Sequence, residues 1–207
     1  MKTMNKPVIM IDFGGVYFTS ASSKFSLIYA KKFGISAKEI DNALLGKNWK
    51  HWIVHAEGKC DEKTYWEGVT KRLNLPDRKI QQLRKGWYSY PTPQKGMPQL
   101  VRKLRKKYRV VALSSIIVGW IEFMEKRYKL SERFHECHYT YDHGYDKPKV
   151  KFFLSAAKKM HLKPEDCIVV DDNRKFLAGV RKTGARTIAF RDADSLKLKL
   201  RQMGVDI

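Results

Sequence analysis

Val8-Ile9-Met10-Ile11-Asp12-Phe13-Gly14-Gly15-Val16 decides how this chain is read. Four apolar residues, three of them β-branched, run straight into one carboxylate, and two glycines follow. A continuous apolar run this short, closed by a glycine pair, reads as a strand buried on both faces. Asp12 then stands where the strand ends and the chain must turn. In an open parallel α/β sheet the carboxyl ends of the strands are where ligands bind. Gly14 and Gly15 let the backbone turn sharply and come close to whatever binds there.

Composition bounds what surrounds that strand. The chain has 207 residues, enough for one domain with a sizeable core or a core plus a smaller insert. Hydrophobic residues make up 43%, an ordinary globular value that excludes a disordered chain. Lys and Arg number 42 against 21 Asp and Glu, a net charge of +21. Such an excess favours anionic partners: phosphorylated metabolites, nucleic acid or a membrane surface. The plainer reading is a solvated, lysine-rich surface. The densest run, Arg102-Lys103-Leu104-Arg105-Lys106-Lys107-Tyr108-Arg109, is interrupted by apolar residues and reads as a helix face, not a basic tail. Cys60, Cys137 and Cys167 are too scattered for a disulfide framework or a paired metal site, and Cys167 reads as a buried thiol. Met1 to Lys6 is too short and polar for a signal peptide. The apolar region from Val110 to Met124 is broken by Ser114, Ser115 and Glu122, short of a membrane span. A soluble cytoplasmic protein is expected, with its oligomeric state not legible.

From about Tyr17 to Pro93 the pattern is helical throughout. Ser22 or Ser23 is a candidate cap for a helix carrying Phe25, Ile28 and Tyr29 and stopped at Gly34. Ser36-Ala37-Lys38-Glu39 is a capping-box sequence, with Ile40, Ala43 and Leu44 on one face. Asp61 caps a third predicted helix bearing Trp66, Val69 and Leu73; Pro76 and Asp77 open a fourth through Ile80 and Leu83. Trp49, Trp52, Trp66, Trp87, Tyr65, Tyr88 and Tyr90 fall in this block. Their helical spacing reads for most of them as the core of a small helical insert; lining a substrate pocket and stacking on bases are the other readings. His51 and His55 are spaced i,i+4, but no third metal ligand accompanies them, so surface or pocket histidines are expected.

Beyond Pro91-Thr92-Pro93, which reads as a linker, Met97, Leu100, Val101 and Leu104 form a helical stripe. Val110-Val111-Ala112-Leu113 is a second buried strand ending in Ser114-Ser115, followed by a helix over Val118 to Tyr128. His138-Tyr139-Thr140 is a candidate third strand. Gly144-Tyr145-Asp146-Lys147-Pro148 reads as a turn, and Pro148 suits the first turn of a helix carrying Val150, Phe153, Leu154 and Ala157. Cys167-Ile168-Val169-Val170 is the next buried strand, ending in Asp171-Asp172. A helix stopped near Gly184, a strand over Thr187 to Phe190 and a basic helix complete the chain.

Strands alternating with helices predict a three-layer α/β fold with a Rossmann-like parallel sheet and an inserted α-helical cap. The strand ends carry Asp12, Ser114 and Asp171-Asp172, with Lys147 just before a helix. Three converging carboxylates repel one another unless a hard divalent ion such as Mg²⁺ joins them. A carboxylate to attack, with Mg²⁺, a lysine and a hydroxyl to hold charged oxygens, is what phosphoryl transfer requires.

Four motifs in order, Ile11-Asp12-Phe13-Gly14-Gly15-Val16, Leu113-Ser114-Ser115, Gly144-Tyr145-Asp146-Lys147-Pro148 and Val170-Asp171-Asp172-Asn173 with Gly184 downstream, resemble those of the haloacid dehalogenase superfamily, subfamily I, with a helical C1-type cap. The resemblance covers nearly the whole chain and implies a core of residues 1–17 and 93–207 and a cap of 18–92. It implies that Asp12 is the nucleophile, forming an aspartyl-phosphate, and a Mg²⁺ ligand beside the Gly14 carbonyl, Asp171 and Asp172. Ser114, Ser115, Lys147 and Gly15 would bind the substrate, with Ser114 and Lys147 also catalytic. The implied activity is Mg²⁺-dependent hydrolysis of a small phosphorylated metabolite. The resemblance breaks at Gly14, where phosphatases of this superfamily usually carry a second Asp as general acid and base, and Ser115 stands where Asn is common. Tyr17, Ser20, His51 and His55 are candidates to replace the acid. A weak or inactive member that binds a phosphorylated ligand, nucleic acid or protein is the alternative that Gly14 and the charge support. A 2-haloacid dehalogenase is a second, disfavoured by the Asp171-Asp172 pair. Nucleic acid is possible but not favoured, and no membrane partner is expected.

Overall fold

In the computed structural model, which describes residues 6–20, 23–47, 50–147 and 149–207, the sheet has five strands among those residues. They are β1 (Val8–Ile11), β2 (Val110–Ser114), β3 (Glu136–Tyr139), β4 (Cys167–Asp171) and β5 (Arg186–Ala189), all parallel, in the order β3-β2-β1-β4-β5. The apolar runs take the middle of the sheet, and β1, β2 and β4 are buried along their whole length, whereas edge strands β3 and β5 are half-covered. Register pairs Ile9 with Val110 on one side of β1 and with Ile168 on the other. The chain builds outward from β1 through β2 to β3, then crosses back to lay β4 on the opposite side of β1. The β1/β4 boundary is therefore where strand order reverses, and a crevice opens there at the carboxyl ends.

Among the described residues, five helices lie between β1 and the linker at Pro91: α1 (Ser23–Phe33), α2 (Ala37–Leu44), α3 (Lys50–Ala56), α4 (Glu62–Leu73) and α5 (Asp77–Ser89). They form the helical cap. The capping box is made: Glu39 N donates to Ser36 Oγ at 3.2 Å, and Ser36 N donates to the Glu39 carboxylate at 2.7 Å. Asp61 caps α4 by accepting from Thr64 N at 2.7 Å. Gly34 ends α1 with φ +73°, a left-handed conformation that costs glycine little. Helix α3 is one more than the four expected, because Lys50-His51-Trp52-Ile53-Val54-His55-Ala56 carries no sequence cap and several weak helix formers. Ile28, expected in the buried stripe of α1, is exposed. Ser22, Trp49 and Pro148 lie outside the described residues, as does the side chain of Ser23.

Two chain crossings join cap and sheet. Thr19 N donates to Thr92 O at 2.8 Å, and Gln94 N donates to Tyr17 O at 2.9 Å. The cap also docks on the core through Glu57, which follows α3. Its carboxylate pairs with Lys149 and accepts from Asp146 N at 3.3 Å. A second docking point sets α5 against the next sheet-covering helices: Tyr88 lies 6.5 Å from Phe123, ring to ring.

The sheet residues divide by parity, as a pleated strand requires. Ile9, Ile11, Val110 and Ala112 face α6 (Met97–Arg105), α7 (Val118–Tyr128) and, late in the chain, α12 (Ala193–Gln202). Val8, Met10, Val111 and Leu113 face α10 (Val150–Lys159) and α11 (Arg174–Arg181). Short helices α8 (Leu130–Arg133) and α9 (Thr140–His143) flank β3. Thr140 begins α9 and is not in the strand, and β5 starts and ends one residue earlier than expected. On α10 the buried pair is Phe152 and Phe153, with Leu154 exposed, so the stripe is shifted from the expected one. Met97, Leu100, Val101 and Leu104 are all buried, and the intervening Arg102, Lys103 and Arg105 are exposed. Among the described residues no helix is long and apolar enough to cross a membrane.

Candidate active site

The crevice collects one functional group from each strand end that borders it. Asp12 follows β1 directly, and its N–H donates to Val170 O at 3.0 Å, which ties the end of β1 to β4. Phe13 N donates to Asp12 Oδ1 at 2.7 Å and fixes the carboxylate's direction. Asp171 closes β4, is buried, and accepts from Asn173 N at 2.7 Å. Asp172 is exposed one residue on. One oxygen from each of Asp12, Asp171 and Asp172 lies within 4.8 Å of the others.

Lys147 joins them. Its ammonium sits 2.9 Å from Asp12 and 2.8 Å from Asp171, and donates to Leu113 O at 2.8 Å. One lysine thus spans the ends of β1, β2 and β4. Ser114, the last residue of β2, is buried at the edge of the same space. Ser115 donates from Oγ to Asp146 Oδ1 at 2.7 Å.

The electrostatics follow from crowding. Burial pushes the Asp12 carboxyl up to about 7; Lys147 opposes the rise, and Asp171 and Asp172 add to it. Asp172 is also raised, by partial burial and then by Asp171. Burial pulls Lys147 down, but Asp12 and Asp171 outweigh it and hold the ammonium above its usual range. Asp146 is raised by burial against the Ser115 hydrogen bond. Three carboxylates, Asp12, Asp171 and Asp172, gathered beside one lysine are a set that a hard divalent cation relieves. Oxygen donors alone, drawn together around one point, are the ligands such an ion prefers.

These groups line one side of a cavity of about 500 Å³ between core and cap. Asp12, Gly14, Ser114, Ser115, Lys147, Asp171 and Asp172 all border it, as the sequence anticipates. Gly15 does not. Its carbonyl accepts from Gln94 Nε2 at 2.9 Å, its φ is +76°, and a Cβ there would collide with the Asp172 carboxylate. Gly15 therefore makes room for Asp172 and does not line the cavity. Gly14, by contrast, has open space where a Cβ would project.

Of the four candidates to replace a general acid, only Ser20 borders the cavity. Tyr17 is fully buried between Phe18 and Phe134, at ring separations of 4.9 and 5.1 Å. His55 is neither a surface nor a pocket residue: it is buried, stacks on Tyr65 at 5.2 Å, and bonds through Nδ1 to Cys60 O at 2.9 Å. His51 is half-buried away from the cavity. Asp146 and Asn173, which stand in two of the motifs but carry no expected role, also border it. Sequence reasoning left open which aromatics do so; Trp52 and Trp87 of the cap and Trp120 of α7 line the wall, whereas Trp66 is packed within the cap.

The family model described as haloacid dehalogenase-like hydrolase matches residues 8–179. Flavin mononucleotide hydrolase 1, chloroplastic, of Arabidopsis thaliana is 24% identical over 207 residues, covering 97% of this chain and 79% of that protein. Among solved structures, a HAD family enzyme of Bacteroides thetaiotaomicron in complex with magnesium and inorganic phosphate is 19% identical. It covers 93% of this chain and 99% of its own, with a TM-score of 0.78. The L-2-haloacid dehalogenase of Xanthobacter autotrophicus with chloropropionic acid covalently bound is 13% identical, covers 98% of this chain and 85% of its own, and has a TM-score of 0.66. At these identities the two structures establish a shared fold.

Proposed function

This chain belongs to the haloacid dehalogenase-like hydrolase family, and on that premise we propose that it is a Mg²⁺-dependent phosphatase acting on a small phosphate monoester through Asp12. The observation that carries the reading is the convergence of Asp12, Asp171 and Asp172 within 4.8 Å at the switch point of the sheet, with Lys147 between two of them. That donor set suits Mg²⁺, held by the three carboxylates and the Gly14 carbonyl. The bound ion would neutralise charge on the phosphoryl group. A dehalogenase has no use for the second and third carboxylates, so their presence favours phosphoryl chemistry. The names of the relatives agree: one hydrolyses flavin mononucleotide, and another is in complex with magnesium and inorganic phosphate.

In this reading one Asp12 oxygen forms a bond to phosphorus as the ester P–O bond breaks. Lys147 and the Ser114 hydroxyl hold the phosphoryl oxygens as negative charge builds on them. Water then attacks phosphorus, inorganic phosphate leaves, and the Asp12 carboxylate is restored. Gly14 carries no proton, so the departing oxygen takes its proton from water. The cap of residues 18–92 closes over the reacting centre and sets which alcohol fits.

The test is phosphate release from 4-nitrophenyl phosphate with and without Mg²⁺, comparing wild type with Asp12→Asn. The expected outcome is a requirement for both, with the variant slower by at least about 10³-fold. Equal background from both proteins overturns the reading, because this activated leaving group least needs the missing acid.

A further inference from the structure

The cavity has two unlike halves. Its core side is carboxylate, hydroxyl and ammonium. Its cap side is mostly apolar: Phe18, Trp52, Ile53 and Trp87 from the cap and Ile116 and Trp120 from the core, with Thr19 and Ser20 the polar exceptions. Trp52 is half-buried, with its ring 6.2 Å from Trp87 and nearly perpendicular to it at 77°. Trp120 stands edge-on to Phe18 at 5.2 Å and 89°. These rings are held by their neighbours, so the wall is preformed.

Charge narrows the choice further. Lys147 is the one basic side chain among the described residues that line the cavity, and Asp12 and Asp171 already engage it. A second phosphate or a carboxylate on the substrate would meet no cation on the wall. Burying an ionised group without a partner is strongly unfavourable, and sugar hydroxyls set against Ile53, Ile116 and tryptophan would lose hydrogen bonds to water. A flat, uncharged ring loses nothing there and stacks on an indole. The volume, about 500 Å³, far exceeds what a phosphoryl group alone fills.

Building on the phosphatase reading above, we propose that the substrate is a phosphate monoester of an alcohol bearing an uncharged planar aromatic group, seated against Trp52 on the cap side of the cavity. Trp52 is the specificity-determining residue: it is the wall indole that is not already packed on all sides, so it has a face to give.

The experiment compares three phosphate esters of similar leaving-group basicity with the full chain in Mg²⁺: 1-naphthylmethyl phosphate, ethyl phosphate and 2-carboxyethyl phosphate. The expected kcat/KM for the naphthylmethyl ester exceeds that for the ethyl ester by at least about 30-fold, from the apolar area it buries. The carboxylated ester is expected to be the poorest. Trp52→Ala should collapse the naphthylmethyl-to-ethyl ratio by about 10-fold, and Trp52→Phe should restore most of it. Equal kcat/KM for the first two esters, or a preference for the carboxylated one, overturns the proposal. Calorimetric binding of 1-naphthylmethyl phosphate to Asp12→Asn separates it from the phosphatase reading. Tight binding that Trp52→Ala weakens, with no ester hydrolysed by wild type, leaves the pocket assignment standing and removes the hydrolase. Absence of both binding and turnover overturns the pocket assignment as well.

Discussion

Gly14 has open space where a side chain would project, and its φ is not in the left-handed region. A carboxyl can therefore be introduced without moving the backbone. Gly14→Asp is expected to raise turnover of unactivated alkyl phosphates by about 10²-fold, the lower end of what general acid catalysis supplies, with a smaller gain on 4-nitrophenyl phosphate. The leaving-group dependence of kcat/KM measures this, and a variant no faster on either ester would show that water already delivers the proton adequately. Gly15 behaves oppositely. Its positive φ and its contact with Asp172 leave no room for a Cβ, so Gly15→Ala is expected to weaken Mg²⁺ affinity by about 10-fold or more, read by calorimetry, because it displaces a ligand carboxylate. The two adjacent glycines look identical in sequence. Strand ends made Asp12, Ser114, Asp171 and Asp172 legible, since a buried apolar run announces where its last residue points. A glycine gives no side chain to read, and only the neighbouring carboxylate distinguishes the pair. Tyr17 and His55 misled for a related reason: their polar atoms suggest a site, but their rings are used as core.

At the scale of elements, the loop from α3 to α4 latches the cap to the turn that carries Lys147. Glu57 is buried, pairs with Lys149 and with Lys59 at 2.5 Å, and accepts from Asp146 N. Burial raises its carboxyl, but Lys149, Lys59 and the Asp146 N–H outweigh this and hold it down at about 2. The folded value lies below the ordinary one of 4.5, so the ionised latch contributes its full stability above about pH 4.5. That contribution is lost as pH falls from there towards 2. Glu57→Gln is expected to lower stability at pH 7 by about 1–2 kcal/mol, discounted because both lysines are largely exposed. Urea denaturation at pH 7 and pH 4 should show the gap between variant and wild type narrowing at the lower pH; a constant gap would assign the loss to packing. The elements themselves were read well where a cap or a continuous apolar run marked them, as at Ser36, Asp61 and the three central strands. Helix α3 escaped because no capping residue type stands directly before Lys50 in the sequence. The latch escaped too, since nothing local in Glu57 points to Lys149, 92 residues away.

Across the whole molecule the charge is strongly positive, +21, yet the cavity floor is the reverse, with Asp12, Asp171 and Asp172 gathered beside one lysine. The two scales divide the work. Long-range attraction draws an anion towards the protein, while the short-range field at the crevice is balanced only when a divalent cation is held there. Surface charges are screened within about 8–10 Å at physiological salt, whereas buried pairs such as Lys147 with Asp12 and Asp171 are screened far less. Salt should therefore act on capture and not on the reacting centre. Raising NaCl from 20 to 300 mM at fixed Mg²⁺ is expected to lower kcat/KM for a phosphate monoester by about 3- to 10-fold while kcat changes by less than about 2-fold. Melting temperature over the same range should rise, because salt relieves the self-repulsion of a highly charged chain. Steady-state kinetics and a thermal scan on the same samples separate the possibilities. A flat kcat/KM with a rising melting temperature would make the excess lysines and arginines a solvated surface with no part in substrate capture. A fall in kcat matching that in kcat/KM would mean that salt reaches the crevice itself, and that the cap does not seal Asp12 and Lys147 from solvent during the reaction.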